Sequence, residues 1–416
     1  MFLRSLKVKN LRSIGEMTID FETGTGSNRK QTLFLGQNGT GKSSLLKAIA
    51  LITSGSNALG ELLGQTNDWI RNGESYCELE AVLVTKDLEQ RPLRLRIDRD
   101  ASLSQILTSN SETLDFLERA LAHTDRNYFV VGYGASRRLN NGEHSWSSGQ
   151  GIYRNNRSNN VATLFNTEAQ LTSLTTWAID LDYRSDNAFE LIRQALDDFL
   201  PHVQFSSIDK LKKQMLFETA DGIVPLNQLS DGYQNMTAWI GDLLYRISYT
   251  FEDYGSPLSA RGLLLIDEID LHIHPIWQRH LLNFIKNKLP NFQIVASTHS
   301  PLTAQQAEEG ELFSLQRSVS GNVQLVPFSG SPQKLLLHQL LMTDAFGLTT
   351  DESVKVEEIK NDYKSLRDKS GLTAQEQLDL SRLSKQIQDL PVAEYSNALV
   401  DAGQMDFLNK LEQELK

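Results

Sequence analysis

The chain has 416 residues, 40% of them apolar, and a formal net charge of −11 at pH 7. That length can bury a substantial core in one large domain with appendages, and the acidic balance argues against a protein that coats nucleic acid over its whole surface, while leaving room for a local basic groove. A single cysteine, Cys77, excludes a disulfide scaffold and a cysteine-based zinc site, and no window reaches the ~18 apolar residues of a membrane span.

Residues 2–21 predict two strands around Asn10-Leu11-Arg12-Ser13. The alternation of the first nine residues lacks the apolar core of a signal peptide, so the chain is expected to be cytoplasmic. A Gly/Ser/Asn-rich turn leads to a strand at Thr32–Leu35, and a helix is expected from about Ser43 to Ile52. Half-buried strands follow at 76–84 and 93–97, and Tyr128-Phe129-Val130-Val131 reads as a buried strand opening into Gly132-Tyr133-Gly134-Ala135-Ser136-Arg137-Arg138. Residues 140–160, rich in Asn, Ser, Gly and Arg, read as a loop. Helical periodicity runs from Glu168 to Leu200 and stops at Pro201; short strands then lead to a helix over about Tyr233–Tyr249. An apolar strand at Leu263–Ile266, an amphipathic helix at Pro275–Leu289 and a buried strand at Phe292–Ala296 complete the pattern. Fully apolar strands alternating with helices predict an α/β core, its sheet covered on both faces.

The tail differs. Val356, Ile359, Tyr363 and Leu366 follow a 3,4,3 spacing, as do Leu380, Leu383, Ile387 and Leu390, with Arg367–Gly371 as the turn. Two such stripes predict a helical hairpin and fall short of a free coiled coil. The expected divisions are 1–130, an N-terminal lobe; 131–225, an inserted loop and helical subdomain; 226–330, a lobe with the Leu229–Gln234, Asp267-Glu268 and His299 motifs; and 331–416, a C-terminal helical subdomain.

Gly36-Gln37-Asn38-Gly39-Thr40-Gly41-Lys42-Ser43 fits the P-loop pattern in full, with a strand before it and a helix after. Phosphates carry several negative charges and need many donors at close range. Glycines let backbone N–H groups approach, and the following helix presents its positive end. Gly36, Asn38, Gly39, Gly41, Lys42, Ser43 and Ser44 are therefore the expected ATP-binding positions, with Lys42 on the β/γ oxygens and Ser43 on Mg2+. Leu263-Leu264-Leu265-Ile266-Asp267-Glu268 is the partner motif: Asp267 would serve Mg2+, and Glu268 would orient or deprotonate the attacking water.

The order of the P-loop, Leu229-Ser230-Asp231-Gly232-Tyr233-Gln234, the Asp267-Glu268 strand and Ser297-Thr298-His299-Ser300-Pro301 resembles ABC-type ATPases of the RecF/SMC/OLD lineage. The resemblance implies a P-loop NTPase of ABC-ATPase type: a mixed sheet with helices on both faces, an N-terminal antiparallel β element, an inserted helical lobe and a C-terminal helical hairpin. It further implies that two heads sandwich two ATP molecules, with Ser230 and Gly232 of one head capping the nucleotide of the other. His299 matches the histidine that senses the γ-phosphate, Asp270 the loop that communicates between sites, and Arg12 a residue near the base or phosphates.

The chain departs from that pattern. The family's magnesium-contacting glutamine has no counterpart after Tyr133, where Arg137 or Arg138 could bring charge to phosphate or form an ordinary solvated pair. Asp231 and Tyr233 distinguish the signature from that of transporters. His272 and His274 alternate beside carboxylates, but a structural role outweighs a metal site there.

Over nearly its whole length the chain is similar to the ATPase subunits of Septu-type antiphage systems, through Phe129–Arg138, Thr176-Trp177-Ala178-Ile179-Asp180-Leu181-Asp182-Tyr183, the signature and the tail from Thr343-Asp344-Ala345-Phe346-Gly347-Leu348. This implies an ATP-driven dimer or higher oligomer that gates a separate effector, a nuclease, without contacting a membrane. The alternative is a RecF-like repair clamp binding DNA directly, for which Lys210, Lys212, Lys213, Arg154 and Arg157 are the basic candidates. After Phe328 there is no clustered acidic constellation and only one histidine, His338, so a nuclease centre is not expected in this chain.

Overall fold

The computed structural model describes residues 2–23, 26–85, 88–123, 128–137, 153–184, 186–200, 202–254, 256–318 and 321–388. The chain divides into two compact units, Met1–Gly347 and Leu348–Lys416.

In the first unit, strands β1 (Phe2–Leu11) and β2 (Ile14–Asp20) form a hairpin, and β3 (Gln31–Gly36) runs into the P-loop and helix α1 (Lys42–Ile52). Strands β4 (Tyr76–Val84) and β5 (Gln90–Asp98) extend the hairpin into an antiparallel sheet of order β2-β1-β4-β5. After β6 (Val130–Tyr133), the helical periodicity expected over 168–200 is met by α2 (Leu174–Arg184) and α3 (Asp186–Phe199), whereas residues 168–173 are not helical. A small antiparallel sheet of β7 (Gln204–Asp209), β8 (Gln214–Thr219) and β9 (Gly222–Pro225) precedes α4 (Asp231–Thr250). Strand β10 (Gly262–Ile266), helix α5 (Pro275–Lys288), and strands β11 (Phe292–Thr298), β12 (Leu312–Arg317) and β13 (Val323–Pro327) follow.

The central sheet has the order β13-β12-β3-β11-β10-β6, parallel throughout except for the β12–β13 edge pair. Its covering on both faces follows from the side chains. On β10, Leu264 and Ile266 join a core with α4 and α5, while Leu263 and Leu265 join a second core with α1 and the N-terminal sheet. Alternate residues of a strand point to opposite faces, so an unbroken apolar run is what a doubly covered strand requires. In this parallel arrangement β3, β6, β10 and β11 all end at one edge: Leu35 pairs with Thr298, and Ile266 pairs with both Ala296 and Tyr133. Ligands of open α/β sheets sit outside the carboxyl ends of the strands.

The second unit contains α6 (Val354–Arg367) and α7 (Ala374–Gln388), packed on each other as a hairpin. Val356, Ile359, Tyr363 and Leu366 are half-buried, as are Leu380, Leu383 and Ile387, while most of their helical neighbours are exposed. The 3,4,3 stripes thus mark the shared face; Leu390 lies outside the described residues.

Candidate active site

The P-loop leaves β3 at Gly36, whose φ of 154° and close approach to the Leu315 carbonyl leave no room for a side chain, since a Cβ would lie 2.6 Å from that oxygen. At Gly41, φ is 99° and a Cβ would press on Ile14 at 2.9 Å. Gly41 is the N-cap of α1, and no side chain caps the helix. The first N–H groups of any helix lack intrahelical partners, and its dipole makes that end positive. An uncapped glycine-rich start is a cradle suited to phosphate. Asn38 and Gly39 form its exposed outer lip, Ser43 is half-buried at its floor and Ser44 is buried.

Lys42 folds back over this cradle, its Nζ donating to the carbonyls of Gly36 at 2.7 Å and Gln37 at 3.1 Å. Burial lowers its pKa, while Asp267 and Glu268 act to raise it. The two acids stand at the end of β10. Asp267 is buried and accepts from Ser297 Oγ at 2.5 Å; the same oxygen accepts the Glu268 N–H at 2.8 Å. Glu268 is half-buried in the left-handed region at φ 48°, uncommon for a residue with a side chain.

Asp270 accepts from Thr298 Oγ1, and burial raises its pKa. Thr298 Oγ1 also receives the Ser300 N–H at 3.0 Å, and Ser300 Oγ donates to Gln278 Oε1 at 2.7 Å, so the β11 turn is tied to α5. His299 stands between these ties on an exposed rim. Its pKa is lowered, first by desolvation and then by the charge of Lys42, with Glu268, Asp270 and Asp267 opposing. Lys42, Asp267, Glu268, Asp270 and His299 therefore share one electrostatic environment.

Of the two expectations for Arg137, a solvated surface pair is contradicted, because the side chain is buried. It is 8% exposed, and its Nη2 donates to the carbonyls of Asp267 and Glu268, each at 2.7 Å, while its Nε donates to the Gly134 carbonyl at 3.1 Å. Burial pushes its pKa down to about 10, so it remains a cation at neutral pH. Arg138 lies outside the described residues. Ser297 and Arg137 are the two residues whose parts at this edge the sequence did not assign. The signals available were a serine closing an otherwise apolar strand, and an arginine two residues after a small, glycine-rich turn.

Arg12 lies apart from the acids. Its Nε donates to the Asp68 carbonyl at 2.7 Å, its guanidinium lies 5.8 Å from the Trp69 ring, and its charge is felt by Lys47, one turn along α1 from Ser43. Ser230 and Gly232 begin α4. Ser230 is exposed at the N-cap, yet its hydroxyl accepts no hydrogen bond from the helix, the usual work of an N-cap serine. Gly232 faces the His272 carbonyl, which would lie 3.3 Å from a Cβ. Among the described residues no hydrogen bond joins Ser230 or Gly232 to the P-loop or to Asp267. His274 Nδ1 caps α5, 3.4 Å from the Ile276 nitrogen, and no cluster of metal-binding side chains occurs among the described residues. No described helix is long and apolar enough to cross a membrane.

A family model described as "AAA domain, putative AbiEii toxin, Type IV TA system" matches residues 32–304. The Septu protein PtuA of Bacillus mycoides (strain KBAB4) is 25% identical over an alignment that includes the whole of this chain and 57% of the relative. The Septu protein PtuA of Bacillus thuringiensis is 37% identical over 115 residues, 27% of this chain and 29% of the relative. The chain thus spans little more than half the length of the first relative and less than a third of the second. The SMC head domain from Thermotoga maritima superposes loosely, with a TM-score of 0.46 and 14% identity over 79% of this chain and 100% of the other. The family match runs from the strand that feeds the P-loop to the turn beyond His299, well over half of the sequence, and the chain belongs to this AAA-domain family.

Proposed function

We propose that the chain binds ATP with Mg2+ at the carboxyl edge of its central sheet and hydrolyses it slowly, as a timer. In this reading Lys42 turns from the Gly36 and Gln37 carbonyls to the β/γ oxygens, and the uncapped α1 N-terminus takes the remaining phosphate charge. Ser43 and Asp267 would hold Mg2+, which neutralises charge on the phosphate oxygens. The donor set suits a hard, oxygen-seeking ion: one hydroxyl and one carboxylate whose other oxygen stays available beside the Ser297 bond. Glu268 takes a proton from the attacking water, or orients it, and neutral His299 donates to the γ-phosphate. Arg12 would lie at the base or α-phosphate side, near Lys47.

The reading extends to a head-to-head homodimer with two composite sites. The observation that carries it is the incompleteness of each half. Helix α1 begins uncapped, and α4 begins at an exposed Ser230 whose hydroxyl does not cap its own helix, with no hydrogen bond between the two regions. Ser230 and Gly232 can complete a site on a second copy, and Asp270 sits beside the same edge to relay between sites. ATP would then favour the closed dimer through contacts absent in the open one, and phosphate release would undo them. The likeness to Septu proteins supports a place in antiphage defence, with a separate nuclease as the gated effector in the cytoplasm.

Glu268→Gln should bind ATP yet persist as a larger species on size exclusion with ATP, and wild-type turnover in it would remove Glu268 from its role. Mixing Ser230→Arg with Lys42→Ala protomers should leave one competent composite site. A Ser230→Arg chain that assembles and hydrolyses ATP normally rules out capping by a second copy.

Direct DNA binding is the second reading. It draws on the β7–β8 turn, where Leu211 is 97% exposed among Lys210, Lys212 and Lys213. It loses Arg157, whose Nη1 donates to the Tyr128 carbonyl at 3.2 Å. Duplex binding that weakens steeply with salt would favour it; absent or salt-insensitive binding would dismiss it.

A further inference from the structure

We propose that Arg137 is a positioning residue for ATP hydrolysis: by gripping the carbonyls of Asp267 and Glu268 it fixes the turn that aims the Glu268 carboxylate, and it does not itself contact phosphate. The inference rests on the part given to Glu268 above.

The grip has three components. First, one planar guanidinium serves three carbonyls from two strand ends, Gly134 beyond β6 and Asp267 and Glu268 beyond β10. A rigid fork of this kind sets distance and angle together, which a lysine ammonium on a flexible stem cannot do. Its Nε and Nη2 are committed to these acceptors, and the side chain is almost wholly buried.

Second, the turn it holds is one that a side-chain-bearing residue rarely adopts. Glu268 at φ 48° persists only where its surroundings over-determine the backbone. Two contacts do so from opposite sides: Ser297 Oγ takes the Glu268 N–H, and Arg137 takes the Glu268 carbonyl. The Leu271 N–H reaches that same carbonyl at 3.1 Å and closes the turn behind it. With either side released, Glu268 is free to relax towards ordinary φ values, which redirects its Cα–Cβ bond.

Third, Arg137 is itself fixed. Its guanidinium lies 5.4 Å from the ring centroid of Trp239, a fully buried residue of α4. The loop carrying it is pinned at Gly134, whose N–H donates to Thr163 Oγ1 at 3.1 Å. Arg137 therefore lies between the catalytic turn and the helix whose first residues would face a second copy. The carboxylates of Asp267, Asp270 and Glu268 favour its charge through space without being its hydrogen-bond partners.

The test measures steady-state ATP turnover, binding of a fluorescent ATP analogue and thermal melting for full-length Arg137→Ala and Arg137→Lys beside Glu268→Gln. In Arg137→Ala, kcat should fall ~10- to 100-fold, the scale set by misplacing a reacting group by about an ångström. KM and analogue affinity should stay within about threefold, as expected when ground-state binding is untouched. Added methylguanidinium should restore part of the turnover to Arg137→Ala and none to Glu268→Gln. Arg137→Lys keeps the charge and stem but not the fork, and should lose kcat at unchanged melting temperature.

Wild-type kcat in either folded variant overturns the proposal. So does a fall in ATP affinity that matches the fall in kcat, which would make Arg137 a phosphate contact. Collapse of both variants assigns Arg137 to the fold alone and overturns it too. A Glu268→Gln chain with normal turnover instead sinks the reading of Glu268, whatever Arg137 does.

Discussion

The Ser297 hydroxyl lies 2.5 Å from Asp267 Oδ1 and receives the N–H of Glu268 at 2.8 Å. One short side chain on β11 thereby sets the orientation of two acids on β10. Ser297 has no exposed surface, so water cannot replace it. Ser297→Ala leaves the Glu268 N–H without its acceptor and frees the Asp267 carboxylate to rotate. An unsatisfied buried group costs about 1–3 kcal/mol, and part of that loss should appear in catalysis. The expected outcome is a kcat reduced at least ~10-fold, with a smaller change in ATP affinity. Steady-state kinetics beside equilibrium nucleotide binding decides it; equal losses in both would place Ser297 in binding instead.

Asp242 on α4 has no solvent exposure and holds four donors. Tyr133 Oη lies 2.8 Å away, Arg246 Nε and Nη2 lie 2.6 and 3.1 Å away, and the Thr172 N–H lies 2.8 Å away. This buried knot ties α4 to the end of β6 and to the segment leading into α2. Asp242→Ala strands the Arg246 charge and should destabilise the chain by about 3–5 kcal/mol. Tyr133→Phe removes one hydrogen bond of the set and should cost about 0.5–1.5 kcal/mol. Urea unfolding of the two variants orders these losses, and a Tyr133→Phe penalty as large as that of Asp242→Ala would contradict the account.

The motifs that could be read from the sequence are those whose chemistry is local. The P-loop, the apolar run of β10 and Ser297–Pro301 each carry their pattern within a few residues, and the strands and helices around them follow from apolar runs and periodicity. Arg137 and Asp242 could not be read in the same way, because burying a charge is decided by partners distant in sequence: the carbonyls of Asp267 and Glu268 for one, Tyr133 and Thr172 for the other. The run from Glu168 to Leu200 shows a different limit: its apolar periodicity starts before the helix does, and the described helices are Leu174–Arg184 and Asp186–Phe199. The three-stranded β7–β9 sheet is legible only as short strands, since its pairing depends on turns.

Gly134 gives the tightest steric statement at the site. A Cβ there would lie 2.0 Å from the Thr163 carbonyl oxygen and 2.8 Å from its carbon. Both are backbone atoms, so no side-chain rotation relieves the clash, and the loop carrying Arg137 must shift. Gly134→Ala should lower the melting temperature and kcat together, by a mechanism of overpacking that costs about 1–3 kcal/mol. A Gly134→Ala chain with wild-type melting and turnover would show that this loop does not hold the catalytic turn.

His299 supplies the pH dependence. Partial desolvation of its ring by the surrounding protein and the nearby Lys42 charge lower its pKa below the ordinary 6.5, against the pull of Glu268, Asp270 and Asp267. The imidazole is therefore neutral at physiological pH in the nucleotide-free protein, and one of its ring nitrogens still carries a proton that it can donate to phosphate. The unfolded chain takes up this proton first as pH falls, so the folded state loses stability from about 6.5 downward until the lowered pKa is passed. His299→Asn should flatten that part of the acid limb in thermal melts. Lys42→Met removes one of the two causes, so the His299 midpoint, followed by NMR titration, should move up towards 6.5 in that variant. A midpoint at or above 6.5 in the unmodified chain, or one that does not respond to Lys42→Met, would separate His299 from the electrostatics of the P-loop.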